Sequence, residues 1–170
     1  TSINYMSLEE ALTVHQGAEL LFGQLSVEKA IVTLAETAEN QSKDDFPCVL
    51  CAMNIGLYLT GQLLRLWIFP LTADYVHATR HRLATLGNDV LWKAYPQNTL
   101  KGRDVIVVDD IFDQGYILEE IKIYCLKQQA QSITSVFLIC KMQDRKKSTY
   151  ILIMPSLNVQ SVTFTVLVWI

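Results

Sequence analysis

The chain has 170 residues, of which 51% are hydrophobic and 18% charged, with a formal net charge of −3 at pH 7. That length suits one domain with a substantial core, and the acidic balance leaves no basic stripe for general nucleic-acid binding. No apolar run approaches the roughly 20 residues that span a bilayer, and no basic-then-apolar leader opens the sequence, so a cytoplasmic location is expected. In chain order, Ser7-Leu-Glu-Glu10 has the spacing of a capping box, and apolar residues at helical intervals continue through Leu21. Ser26 to about Asn40 predicts a second helix with Ile31, Leu34 and Ala38 on one side. After polar Gln41 to Asp45 and the break at Pro47, the run from Cys48 to Met53 reads as a buried strand.

A turn at Gly56 leads to an apolar helix over Tyr58 to Trp67, and Thr72 to Ala78 alternates as a strand. Arg80 to Asp89 is polar, contains Gly87, and reads as a mobile loop. Val90 to Tyr95 returns as a strand, Asn98 to Arg103 turns, and a strand at Val105 precedes a helix over about Gly115 to Gln129. The last clear strand is Ile133 to Cys140. Strands alternating with helical patterns predict an α/β fold, a parallel sheet flanked by helices with right-handed crossovers.

Cys48 and Cys51 form a C-x-x-C, the spacing of a redox pair or half a zinc site. No second such pair and no nearby His accompanies them, and a strand points residues three apart to opposite faces. Buried reduced thiols are therefore expected.

The most informative stretch is Val105 to Glu119. Branched apolar residues run into Asp109 and Asp110, with Asp113 and Gly115 close behind. Such a strand releases its acids at the carboxyl end, where open α/β sheets bind ligands. Gly115 allows a tight turn that aims backbone N–H groups and a helix N-terminus at an anion. Asp113 is also a candidate helix N-cap. The stretch suits a ligand carrying both hydroxyls and phosphate.

Asp109-Asp110-Ile111-Phe112-Asp113-Gln114-Gly115 closely resembles the phosphoribosyl-pyrophosphate (PRPP) motif of type I phosphoribosyltransferases. Ala52-Met53-Asn54-Ile55-Gly56 resembles their pyrophosphate loop, and Phe69 to Arg80 with Leu91-Trp92-Lys93 resembles the strands around their mobile loop. Together these segments, in order over about residues 5 to 145, are similar to the bacterial hypoxanthine-guanine branch. The resemblance implies a single domain over 1–170 with a small hood built from about 1–45 and 142–170. It also implies a purine-salvage transferase that moves the phosphoribosyl group from PRPP to a 6-oxopurine base, releasing pyrophosphate and a nucleotide. A homodimer or homotetramer is the usual assembly.

By the same resemblance, Asp109 and Asp110 hold the ribose hydroxyls and a Mg2+ shell, tasks that suit hard carboxylate oxygens. Asp113 exchanges a proton with purine N7. Gln114, Gly115, Tyr116 and Ile117 cradle the 5′-phosphate, while Asn54, Ile55 and Gly56 meet pyrophosphate. Lys141 donates to the purine 6-oxo group, although a strand-end lysine is as often plain solvated charge. Arg80 either contacts pyrophosphate or sits in water, and His77 reads as a half-buried structural residue.

Several positions depart from the family pattern. Ile55 stands where a second Gly is usual, and a β-branched residue poorly tolerates positive φ. Gln114 and Ile117 replace threonines, losing hydroxyl donors worth ~1 kcal/mol each. Residues 148–170 lack the family's purine clamp and end in the apolar run Val162 to Ile170. Reading each third base of Val159 to Ile170 with the next two permits Pro-Lys-Arg-Tyr-Val-Tyr-Gly-Ser-Gly-Leu-Asp, which strongly resembles the missing segment, so a frameshift would explain the tail. A crippled or non-catalytic PRPP- or nucleotide-binding regulator on the same fold is the competing reading.

Overall fold

The computed structural model describes residues 7–42, 46–80, 90–112, 115–142, 152–153 and 158–160. Two helices come first, α1 (Leu8–Gln16) and α2 (Gln24–Ser42), followed by β1 (Cys48–Ala52), α3 (Leu57–Leu66) and β2 (Thr72–Arg80). Then follow β3 (Val90–Ala94), β4 (Asp104–Phe112), α4 (Tyr116–Lys127), β5 (Ser132–Met142), β6 (Leu152–Ile153) and β7 (Asn158–Gln160). The strands form one sheet in the order β3-β2-β1-β4-β5-β6, with β7 also beside β5. All pairings are parallel except β2 with β3. The expected helix-flanked parallel sheet is therefore present, with an antiparallel edge strand added.

Alternation along the central strands sorts their side chains onto two covered faces. Val49, Ile106, Val108, Val136 and Leu138 meet Ile31, Leu34 and Ala38 of α2 and Leu59 and Leu63 of α3. Cys48, Leu50, Val105, Val107 and Phe137 meet Leu118, Ile121 and Cys125 of α4. Burial on both faces is why β1 and the first half of β4 read as unbroken apolar runs. Trp67, just past α3, donates its indole N–H to the Ala35 carbonyl at 3.0 Å, tying the α2 and α3 layer together.

The capping box of α1 is complete: Glu10 N–H donates to Ser7 Oγ at 3.2 Å, and Ser7 N–H to Glu10 Oε2 at 2.7 Å. The helix stops at Gly17, short of the expected Leu21, and buries none of its residues. Its successor α2 lies on the sheet, with Ala30, Ile31, Leu34, Ala35 and Ala38 all buried. Cys48 and Cys51 are buried free thiols, as are Cys125 and the less buried Cys140. Burial raises the pKa of all four.

Asp74 fixes the connection from β3 to β4. Its carboxylate accepts the backbone N–H groups of Tyr75, Gln97 and Asn98 at 2.7–2.8 Å and the Asn98 side-chain amide at 3.0 Å. On the far side, β5 uses one edge for β4, so β6 and β7 share the other. From Ile153 to Asn158 the outer chain advances five residues while its partners advance four, from Val136 to Cys140.

Candidate active site

The chain leaves β1 through α3 toward β2, and leaves β4 through α4 toward β5 on the other side. Strands β1 and β4 are neighbours in register, Cys51 beside Val108. Their connections depart in opposite directions, so a crevice opens at their carboxyl ends. Two short segments line it: Met53 to Gly56 after β1, and the end of β4 with the start of α4.

The first segment is anchored by Met53 N–H to the Val76 carbonyl at 2.8 Å and Gly56 N–H to the Ala52 carbonyl at 3.0 Å. The Met53–Asn54 peptide is cis. Gly56 has φ −64° and ψ −6°, which any residue adopts. Its necessity is spatial, because a Cβ there would lie 2.7 Å from both the Ala52 and Val108 carbonyl oxygens. The expectation of strain at Ile55 is corrected: it is absent from the positive-φ non-glycine residues, Phe46 and Gln129. Ile55 takes no positive φ and is 52% exposed. Among the described residues, neither its amide nor that of Asn54 donates a backbone bond.

The second segment differs from the sequence reading in two respects. First, Asp109 and Asp110 are not released into a loop. Strand β4 continues to Phe112 because β5 pairs with it throughout, Asp109 beside Phe137 and Phe112 beside Cys140. Second, Asp113 is not the N-cap of α4. That position belongs to Gly115, whose φ of 75° and ψ of 1° lie in the left-handed region natural to glycine. Gly115 itself offers no side chain to cap the helix.

Electrostatics mark the acid pair. Burial raises the Asp109 pKa to about 8, with the Asp110 charge adding to the effect. Burial also raises Asp110. The Asp110 amide donates to Asp109 Oδ1 at 2.9 Å, which offsets part of the shift. Two partly buried carboxyls that disfavour simultaneous ionisation form a site ready for positive charge or hydroxyl donors. Beside them lie the Met53–Gly56 loop and the start of α4, a helix N-terminus of the kind that favours anions.

An acid pair beside a glycine-closed loop at a switch point agrees with the family comparison, in which residues 18–169 match the description "Phosphoribosyl transferase domain". The chain belongs to that family. Among curated relatives of this phosphoribosyltransferase, the hypoxanthine-guanine-xanthine phosphoribosyltransferase of Tritrichomonas foetus is 25% identical over 130 residues, covering 76% of this chain and 70% of the relative. The hypoxanthine-guanine phosphoribosyltransferase of Bacillus subtilis (strain 168) is 22% identical over 133 residues, covering 78% and 74%. A solved hypoxanthine phosphoribosyltransferase from Staphylococcus aureus superposes with a TM-score of 0.73 at 15% identity, over 88% of this chain and 80% of the other. One from Trypanosoma cruzi gives 0.71 at 16% identity, over 84% and 78%. These structural likenesses speak for the fold.

Parallel topology brings the positions named from sequence to one edge of this phosphoribosyltransferase. Asn54, Ile55 and Gly56 follow β1, Arg80 ends β2, and Asp109 and Asp110 lie in the last four residues of β4. Gly115, Tyr116 and Ile117 open α4, and Lys141 is the penultimate residue of β5. Ile117 packs against the α4-side core, so its backbone rather than its side chain is what it can offer a phosphate. Asp113, Gln114, the Arg80 and Lys141 side chains, and the loop expected to be mobile lie outside the described residues, as does most of the tail. The sequence reading missed Thr60, a buried hydroxyl donating to the Gly56 carbonyl at 2.7 Å. Its only signal was a polar residue in the apolar stretch Leu57 to Leu66.

Proposed function

We propose that this phosphoribosyltransferase moves the 5-phosphoribosyl group of PRPP to hypoxanthine or guanine, giving IMP or GMP and pyrophosphate in cytoplasmic purine salvage. The observation that carries the reading is the crevice itself, with the Asp109–Asp110 pair on one wall and the Gly56 loop on the other. The named activities of the curated relatives support the choice of base.

In this reaction the purine nitrogen attacks C1 of the ribose as the bond to pyrophosphate breaks. Positive charge builds on the sugar ring and negative charge on the leaving group. Amides of Asn54 and Ile55 stabilise the departing pyrophosphate, and the start of α4 from Gly115 to Ile117 holds the 5′-phosphate, assisted by Gln114. Arg80 adds charge beside pyrophosphate. Asp109 and Asp110 accept the ribose hydroxyls. Asp113 moves the proton at purine N7, and Lys141 donates to the 6-oxo oxygen.

The donor set fits Mg2+. Among the described residues no three His, Cys, Asp or Glu side chains gather as a metal cage. Mg2+ commonly takes one or two carboxylates and fills its shell with water and substrate oxygens, which the acid pair can provide for. Bound there, the ion would neutralise charge developing on pyrophosphate.

No helix of the described residues is long and apolar enough to cross a membrane. Self-association as a homodimer or homotetramer, and a hood from the terminal segments, belong to the same reading. Exposed Ile55, Leu57 and Tyr58 beside the crevice supply apolar surface for assembly.

An assay with PRPP, magnesium and hypoxanthine tests the reading. IMP formation is expected, and none above background would count against catalysis by this chain. PRPP binding by calorimetry without turnover would instead favour the nucleotide-binding regulator, which the altered Gln114 and Ile117 make the second reading. Asp113→Asn should lower turnover while leaving PRPP affinity near wild type.

A further inference from the structure

We propose that Thr60 is the positioning residue of the crevice loop. Its hydroxyl fixes the Gly56 carbonyl and thereby holds the Asn54 and Ile55 amides where they receive the pyrophosphate of PRPP. This role presupposes that PRPP is the ligand.

The Gly56 carbonyl oxygen accepts twice from one residue, from Thr60 N–H at 2.9 Å and from Thr60 Oγ1 at 2.7 Å. The first bond is the ordinary helical one. The second is a choice of side chain. Thr60 is 6% exposed and lies on the first turn of a helix whose neighbouring buried residues are Leu59 and Leu63. An apolar residue would fill that position without a polar group to satisfy. Similar back-bonds from Thr13, Thr33 and Thr37 are all exposed, where a hydroxyl costs nothing. Only at Thr60, among these four, is the bond buried, and only there is the acceptor a residue of the crevice loop.

The peptide that Thr60 grips is already confined on its other sides. Gly56 N–H is bonded to Ala52, and its α-carbon abuts the Ala52 and Val108 carbonyl oxygens. Thr60 therefore ties the first turn of α3 to the loop before it. The same peptide carries Leu57 N–H, which donates to the Asn54 carbonyl at 3.3 Å, so holding the Gly56 carbonyl restrains the peptide that bears the Ile55 amide. Preorganised amides stabilise charge that develops on a leaving group more than mobile ones do.

Thr60→Val keeps shape and removes the hydroxyl, and Thr60→Ser restores it. In the full-length protein, Thr60→Val should raise KM for PRPP about fivefold, the worth of one ordinary hydrogen bond. KM for hypoxanthine should be unchanged, and Thr60→Ser should return KM for PRPP to wild type. Amide exchange over Met53 to Leu57 should speed up in Thr60→Val and not elsewhere. If Thr60→Val proves unfolded by its thermal transition, Thr60→Ala carries the same comparison. Wild-type PRPP binding with magnesium that the hydroxyl-free variant reproduces overturns the role of Thr60 alone. A wild-type chain that binds no PRPP overturns this role and the PRPP reading together. Parallel changes in both KM values that Thr60→Ser does not reverse mark a packing defect and also reject it.

Discussion

Gly56 and Asp109 meet backbone to backbone: a Cβ on Gly56 would lie 3.3 Å from the Asp109 α-carbon, as well as 2.7 Å from the Val108 carbonyl oxygen. The Met53–Gly56 loop and the acid pair are thus set against each other by main-chain contact. No side chain stands between them to adjust.

Gly56→Ala should therefore displace one wall of the crevice. The atoms in the way are backbone oxygens of β1 and β4, which cannot rotate aside, and overpacking of this kind costs about 1–3 kcal/mol. Denaturant unfolding should show that loss, and kcat/KM for PRPP should fall with it. Wild-type stability and kinetics would mean that the loop relaxes freely.

Asp109 makes the ligand-free protein sensitive to pH. Its folded pKa, about 8, lies above the ordinary carboxyl value. The associated stability is present below pH ~3.9 and is lost as pH rises through the folded value. Burial shifts Asp110 in the same direction. Asp109→Asn should raise Tm at pH 8 relative to wild type, with each ~1 kcal/mol worth roughly 2–4 °C in a chain of this size. Activity should fall in the same variant. A Tm difference that is equal at pH 5 and pH 8 would remove this explanation.

Asp74 should behave in the opposite sense. Burial alone would raise it, but the hydrogen bonds from Asn98, Tyr75 and Gln97 together bring its pKa below the usual value. Its contribution is present above pH ~3.9 and disappears as pH falls through the lower folded pKa. Asp74→Ala should cost about 1 kcal/mol near neutrality, since the exposed donors it frees can turn to water. Urea titrations of the two proteins should converge in acid; a gap that stays constant would point to packing instead.

The tail yields a genetic prediction. If a frameshift produced it, the codons of Val159 to Ile170 must all allow the shifted string that resembles the family's aromatic segment. Gene sequencing decides this, because one incompatible codon ends the explanation. Restoring that frame should improve hypoxanthine affinity without altering the acid pair.

Much of the architecture was legible because burial leaves a periodic trace. Ile31, Leu34 and Ala38 marked the sheet-facing side of α2, and unbroken apolar runs marked β1 and β4 as covered on both faces. Ends of elements were less legible. Strand β4 reaches Phe112 because β5 offers partners that far, and α4 begins after Gly115 because that residue turns left-handed. Neither partner strand nor turn geometry is written in the local pattern. Thr60 escaped notice for the same reason, since its importance comes from the carbonyl it meets.

By itself the sequence determined which residues could do chemistry: adjacent acids after a buried strand, a glycine-closed turn, and polar groups at strand ends. Residue type sets acidity, donor capacity and apolar surface, so those facts survive without coordinates. Only the tertiary structure decided how they act together. Parallel pairing of β1 with β4 set the Gly56 loop against the acid pair, and burial there raised the carboxyl pKa values. It also showed that Gly56 is required for space and that Ile55 takes no positive φ. Close approach and desolvation depend on what lies across the sheet, which is information the chain acquires on folding.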